Sequence, residues 1–198
     1  MKLKSTIKQI KDLDMETEIV IKELRADHAL LAEHEKRLKT LFKNDSQELI
    51  NTKIHNIVIR DNLFNEIMMR IVPCFEVTFD GDEVKQTTEN FKKQMPDRTP
   101  EVLDMIARRT IIKTLVFGEL IKLWGITASD EEVRKSLEQY YQFSNESIRQ
   151  YLDDKEKFEA IRSVLLEEKT ANELIKRFKH RFDLKMPRQP SPDTNEKK

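Results

Sequence analysis

The stretch TPEVLDMIARRTIIKTLVFGELIKLWG, residues 99–125, decides the fold class. Thr99 is a good helix N-cap, Pro100 suits the first helical position where its missing N–H costs nothing, and Glu101 favours the positive end of the helix dipole. Gly125 stands where a left-handed C-terminal residue belongs. Between these signals Ile111, Ile112, Leu115, Val116, Phe117, Leu120, Ile121, Leu123 and Trp124 are apolar nearly all round. This helix is therefore expected to be the most buried of the protein, with Leu115 in its core.

Towards the C-terminus, Ser129-Asp130-Glu131-Glu132 is a capping box that opens a helix through about Gln142. Ser144 caps a short helix to about Leu152, and Asp153 or Asp154 starts a last one. Its stripe is Phe158, Ile161, Val164, Leu165, Ala171, Leu174, Ile175 and Phe178. Beyond Leu184 the run KMPRQPSPDTNEKK has almost nothing to bury and reads as a disordered tail, residues 185–198.

Towards the N-terminus, Met95-Pro96-Asp97-Arg98 is a loop preceded by a helix from about Asp82 to Gln94. Asp80-Gly81 turns the chain, and CFEVTF, residues 74–79, is too short an apolar run for a helix and reads as extended. Asn44-Asp45-Ser46 caps a helix whose stripe runs Leu49, Ile50, Ile54, Ile57, Val58, Phe64, Ile67, Met68, Ile71, and Pro73 ends it. From Lys2 to Lys43 there is no Gly or Pro, and Leu3, Ile7, Ile10, Leu13, Ile21, Leu24, Leu31, Leu38 and Leu41 recur at loosely helical spacing. One or two long polar helices are expected there, reaching about 60 Å if unbroken and projecting as an arm. The fold class is all-α: an elongated multi-helix module with a helical arm or extension over 1–43, a helical domain over 44–184 and the tail.

Composition agrees with long solvated helices around a thin core: of 198 residues 38% are hydrophobic and 36% charged, with only three glycines. The 36 Lys+Arg cancel the 36 Asp+Glu, and the cancellation holds locally, so no basic stripe exists for a nucleic-acid backbone. No apolar run is long enough to span a membrane. A single cysteine, Cys74, excludes an internal disulfide and a cysteine-based zinc cage, and MKLKSTIKQI at the start lacks a signal-peptide core, which points to the cytoplasm.

A search for a reaction centre finds no GxGxxG, GxxxxGK[ST], HExxH or GxSxG. His28 and His34 are close in sequence, but six residues place them about 240° apart on a helix, so they do not converge on one ion. His55 and His180 sit among charges. Cys74 reads as a small buried hydrophobe rather than a nucleophile. Asp153-Asp154 and Glu131-Glu132 are explained by helix starts, and Glu167-Glu168 by solvation. No metal, cofactor or catalytic residue is assigned. Two apolar groups stand out instead: Met68, Met69, Val72, Phe75, Val77 and Phe79 around Pro73, and Tyr140, Tyr141, Phe143 and Tyr151 between the later helices. They either fill the junctions where helices meet or form an adaptable binding surface.

Residues 101–141 and the block SIRQYLDDKEKFEAIRSVLLEEKTANELIKRF, residues 147–178, resemble the C-terminal substrate-binding domain of the bacterial chaperone trigger factor. The resemblance is carried by Ala107-Arg108-Arg109, Gly118-Glu119, Ile126 before Ser129-Asp130-Glu131-Glu132-Val133, the segment at Tyr151, Arg162, and Leu166-Glu167-Glu168-Lys169. FEVTFDGDEVKQTTENFKKQ is similar to that family's entry into its antiparallel helices, with Thr78 where proline is usual. It is closest over 74–179, extends over 44–73 and fades before 44. A related helical scaffold occurs in SurA-type periplasmic chaperones. No counterpart of trigger factor's ribosome-docking loop or prolyl-isomerase domain is found, so neither ribosome docking nor isomerase catalysis is expected.

The resemblance implies a stand-alone module that cradles unfolded or nascent polypeptides; without a nucleotide motif it reads as an ATP-independent chaperone that needs no cofactor, and the thin core points to a homodimer through the same patches. A dedicated adaptor that reuses the scaffold for one partner is the alternative. The ten residues from Met68 to Tyr151 named above are the candidate peptide-binding set.

Overall fold

The computed structural model describes residues 3–141 and 148–184, without the side chains of Tyr140 and Tyr141. The expected Ser144 cap and the tail from residue 185 lie outside the described residues. The fold is mostly helical, and the chain divides into two compact units, each discontinuous in sequence: residues 1–17 with 64–179, and residues 18–63 with 180–198.

The first unit holds β1 (Thr6–Ile10), the end of α2 (Gln47–Ile71), a 3-10 turn (Val72–Cys74), β3 (Phe75–Thr78), α3 (Gly81–Gln94), α4 (Pro100–Trp124), α5 (Asp130–Tyr141), α6 (Arg149–Leu152) and α7 (Lys155–Arg177). Helix α4 begins and ends where its sequence signals place it. The Thr99 hydroxyl accepts from the Val102 N–H, and Gly125 takes φ 61°, its N–H reaching the Ile121 and Lys122 carbonyls. A side chain there would be forced into a left-handed backbone, so glycine is required. Leu103, Ala107, Ile111, Val116, Phe117 and Leu120 form its buried seam. The helix is one-sided, however, and not apolar-buried all round as expected: Leu123 is 65% exposed and Leu115 only half-buried. Helix α3 packs along α4, and α7 touches α4, α5 and α6. Val133 and Leu137 of α5 join Leu174 and Phe178 at the end of α7 in the core, while Leu165, expected on the buried stripe, is half-exposed.

Polar contacts fix α7 on the start of α5. The Ser129 N–H donates to Glu132 at 2.8 Å and the Glu132 N–H to the Ser129 hydroxyl at 3.2 Å, which is the expected capping box. Lys169 of α7 donates to the same Glu132 carboxylate at 2.5 Å, and Arg162 donates to Asp130, to the Ala128 carbonyl and to Glu159. Asp154 caps α7 through the Glu156 and Lys157 N–H groups.

The helical reading of residues 2–43 is corrected. Only His28–Leu41, α1, is helical; Thr6–Ile10 and Ile19–Ile21, β2, are strands. In the second unit β2 pairs in parallel with β4 (His180–Phe182). Among the described residues Ile19, Ile21, Ile50 and Leu63 are its buried apolar side chains. Asp27 caps α1, none of whose residues is buried, and Ser46 caps α2 through the Leu49 N–H. Asn62 of α2 exchanges two hydrogen bonds with the Arg25 backbone, at 2.8 and 2.7 Å.

Candidate peptide-binding surface

The first unit's strand pair joins β1, whose residues look helical in sequence, to β3, which falls in the run read as extended. Antiparallel pairing sets Thr6 opposite Thr78, Ile7 opposite Val77, Gln9 opposite Glu76 and Ile10 opposite Phe75, with the register slipping between Ile7 and Gln9. Directly opposed residues share a face, and faces alternate along a strand. The slip is a bulge that absorbs Lys8, so Ile7 and Ile10, three apart, fall on one face with Val77 and Phe75. Thr6, Gln9, Glu76 and Thr78 take the other face and are exposed.

Both ends of β1 are tied down. Glu83, in the first turn of α3 and only 4% exposed, accepts the Lys4 N–H at 3.0 Å and the Ser5 N–H at 2.8 Å. The Ser5 hydroxyl accepts the Asp80 N–H at 3.0 Å, while Asp80 itself caps α3. Burial acts to raise the Glu83 pKa, but the bonds from Ser5 and Lys4 together outweigh it and the carboxyl is held below its ordinary value. Beyond the other end, Asp14 accepts the Glu16 and Thr17 N–H groups and pairs with Arg70 at 2.7 Å; bonding from Thr17 foremost brings its pKa down to about 2.

A groove of about 410 Å³ runs beside this strand, lined by all six residues from Ser5 to Ile10 and by Leu115 and Glu119 of α4. Because neighbouring strand residues face opposite ways, a groove touching all six follows the strand's edge rather than one of its faces. Ile10 is 43% exposed. Leu115 is half-buried because it forms the far wall.

The candidate residues around Pro73 separate by depth. Met69 is 60% exposed, Met68, Val72, Val77 and Phe79 are half-buried, and Phe75, at 6%, belongs to the core. The structure thus corrects Phe75 from a surface residue to a core residue: it sits on the strand face that packs inward. The guanidinium of Arg108 lies 4.9 Å from the Phe79 ring centre. Of the second group Tyr151 is half-buried on α6; Phe143 and the side chains of Tyr140 and Tyr141 lie outside the described residues. The strand pair joins Ile7 and Ile10 to Val77 and Phe75, a connection that no local pattern shows.

The remaining residues singled out in the sequence have structural settings. Cys74 is half-buried with its thiol 3.7 Å from the Arg70 carbonyl. Glu167 pairs with Lys113 at 2.8 Å. Among the described residues no group of three His, Cys, Asp or Glu is placed to hold a metal ion, and no helix is long and apolar enough to cross a membrane.

The chain belongs to the family described as the bacterial trigger factor protein C-terminus, whose model matches residues 20–176. It is 37% identical over 183 residues to the uncharacterized protein MG377 homolog of Mycoplasma pneumoniae, and 36% identical over 183 residues to the uncharacterized protein MG377 of Mycoplasma genitalium. Each match covers 92% of this chain and 95% of the relative. A crystal structure of a hypothetical Mycoplasma protein, MPN555, superposes with a TM-score of 0.80 at 37% identity, over 91% of this chain and 92% of that one. Strand β1 lies outside the residues matched by the family model, whereas the Leu115 and Glu119 wall of its groove lies inside them.

Proposed function

We propose that the protein is an ATP-independent, non-enzymatic chaperone of the cytoplasm that holds unfolded or partly folded polypeptides by weak contacts at several apolar patches. The observation that carries the reading is Met69, 60% exposed at the end of α2 and adjoined by half-buried Met68, Val72, Val77 and Phe79 in a chain that is 36% charged. A large flexible thioether left in water is costly for stability and adaptable for binding. Burying one such side chain contributes about 1.5–3 kcal/mol, too little alone, so retention arises from several patches on one client. Release follows when the client buries its own apolar surface, with no nucleotide required. Membership of the trigger factor C-terminus family supports the same reading.

The test is suppression of light scattering by a denatured, aggregation-prone protein, without ATP, by the wild-type chain and by the Met68→Ser, Met69→Ser double variant. The wild type is expected to suppress scattering and the variant to do so less at nearly unchanged thermal stability. A chain that leaves scattering unchanged while one stoichiometric partner co-purifies with it would overturn the chaperone in favour of a dedicated adaptor.

A further inference from the structure

The edge of β1 that faces the groove is built as a place for one more strand. Lys11, just past β1, donates its N–H to the Cys74 carbonyl at 2.8 Å, so its backbone polar groups turn towards β3. By the alternation of an antiparallel ladder Gln9 shares that direction, and the N–H and carbonyl of Ile10 turn to the opposite edge. Among the described residues β1 has β3 as its one strand neighbour. The groove on the open side is walled by Leu115 and Glu119, and Glu119 is already paired with Lys122 at 2.6 Å. Lys8 is exposed and makes no ion pair among the described residues, so the groove carries one uncompensated positive charge.

We propose that the groove beside β1 takes an extended segment of a client polypeptide as an added strand, hydrogen-bonded to the β1 backbone, with apolar side chains against Ile10 and Leu115 and a carboxylate meeting Lys8. The proposal rests on the chaperone reading and deepens it: backbone pairing selects an extended conformation and demands little of sequence, which suits unfolded clients. The five-residue strand offers about 17 Å of edge, enough for a short segment. Charge selects a foreign segment over a second copy of this chain. Lys8 is the middle residue of β1, so two copies pairing antiparallel about a two-fold axis would place two Lys8 ammonium groups on one shared edge. A client acid removes that repulsion.

The experiment uses the full chain and short labelled peptides of alternating valine and threonine with a central glutamate, read by fluorescence anisotropy and by amide hydrogen exchange. N-methylation of alternate peptide residues is expected to weaken binding about ten-fold in one frame, where it removes the donors facing β1, and to leave it nearly unchanged in the other. Bound peptide should slow exchange of the Ile10 amide. Replacing the central glutamate by lysine should weaken binding to the wild type, and Lys8→Glu should reverse that preference. Equal binding by both N-methylated frames overturns the proposal, as does protection of β1 that grows with protein concentration in the absence of peptide, which would assign the edge to a second copy. Suppression of client aggregation without protection at β1 overturns the groove and leaves the chaperone reading standing. Frame-selective peptide binding by a chain that suppresses no aggregation supports the groove and overturns the chaperone.

Discussion

Removing the Glu83 carboxylate should loosen β1 from α3, and the cost can be worked from its contacts. Two backbone N–H groups, those of Lys4 and Ser5, donate to it at 3.0 and 2.8 Å, and the Ser5 residue is 2% exposed. A hydrogen bond to a charged group contributes about 1.5–3 kcal/mol, and a buried donor left without an acceptor loses its full desolvation cost. Lys4 is exposed and recovers water, so Glu83→Ala should cost about 2–4 kcal/mol, most of it at Ser5. Glu83→Gln keeps one acceptor oxygen but turns an amide donor towards an N–H, so it should fall between the wild type and the alanine variant. Trp124 is the one tryptophan of the chain and lies on α4 in the same unit, so its fluorescence during urea unfolding reports the right transition. The sign of the pH dependence follows from the lowered pKa. A carboxylate depressed in the fold stabilises above its unfolded value of about 4.3 and loses that contribution as pH falls through the folded value. The gap between wild type and Glu83→Ala should therefore be full at neutral pH and shrink in acid. A gap under about 0.5 kcal/mol at pH 7, the scale of an ordinary surface change, or one that does not narrow in acid, would refute the clamp.

Leu120→Ala, at a fully buried position of α4, should cost about 2–5 kcal/mol in the same unfolding assay, whereas Met69→Ser should stay within about 0.5 kcal/mol because that side chain is 60% exposed. Glu132, held at about 2 foremost by its hydrogen bond from Lys169, should titrate in that range by NMR, and Lys169→Met should move its midpoint upward. Its stabilising effect is present above the unfolded value and disappears as pH drops towards 2. Gly118→Ala, in the interior of α4 with nothing near the added methyl, should stabilise by about 0.5–1 kcal/mol. Gly125→Ala should instead destabilise by about 1–2 kcal/mol, because its φ of 61° strains any side chain; thermal denaturation distinguishes the two signs.

Helix boundaries were legible because they depend on residues a few places apart. Thr99, Ser129, Asp154 and Gly125 act on their own neighbours, so their roles follow from position alone. Of the strands only β3 was legible, as the extended run CFEVTF; β1 and β2 were not, because their partners are distant: β1 pairs with a segment about seventy residues away and β2 with one beyond residue 179. Ile7 and Ile10 recur at three, a helical interval, and only the bulge at Lys8 turns that interval into one face of a strand. Ile19-Val20-Ile21 held a usable signal, three β-branched residues in a row, which favours an extended backbone over a helix. Glu83 gave none, since an acid in a first helical turn is accounted for by the helix dipole. The groove depends on β1, so it was hidden with it, and Leu115 and Phe75 exchanged their expected places for the same reason: what lies over them is set by a strand that the local pattern does not contain.

The restraints on β1 bear on binding as well as on stability. Ordering a backbone residue costs about 1–2 kcal/mol, so a strand that had to form upon meeting a client would offset much of what its hydrogen bonds contribute. Here the pairing with β3, the Glu83 contacts before the strand and the Asp14–Arg70 pair after it hold the edge extended in the free protein. Only the client then has to be ordered. Glu83→Ala should consequently weaken the binding of an extended peptide although Glu83 does not line the groove, and it should do so at temperatures where Trp124 still reports a folded unit. Faster exchange of the Ser5 amide in the free variant should accompany the loss. A variant whose Ser5 amide exchanges faster but whose peptide affinity is unchanged would show that the order of β1 is a matter of fold alone.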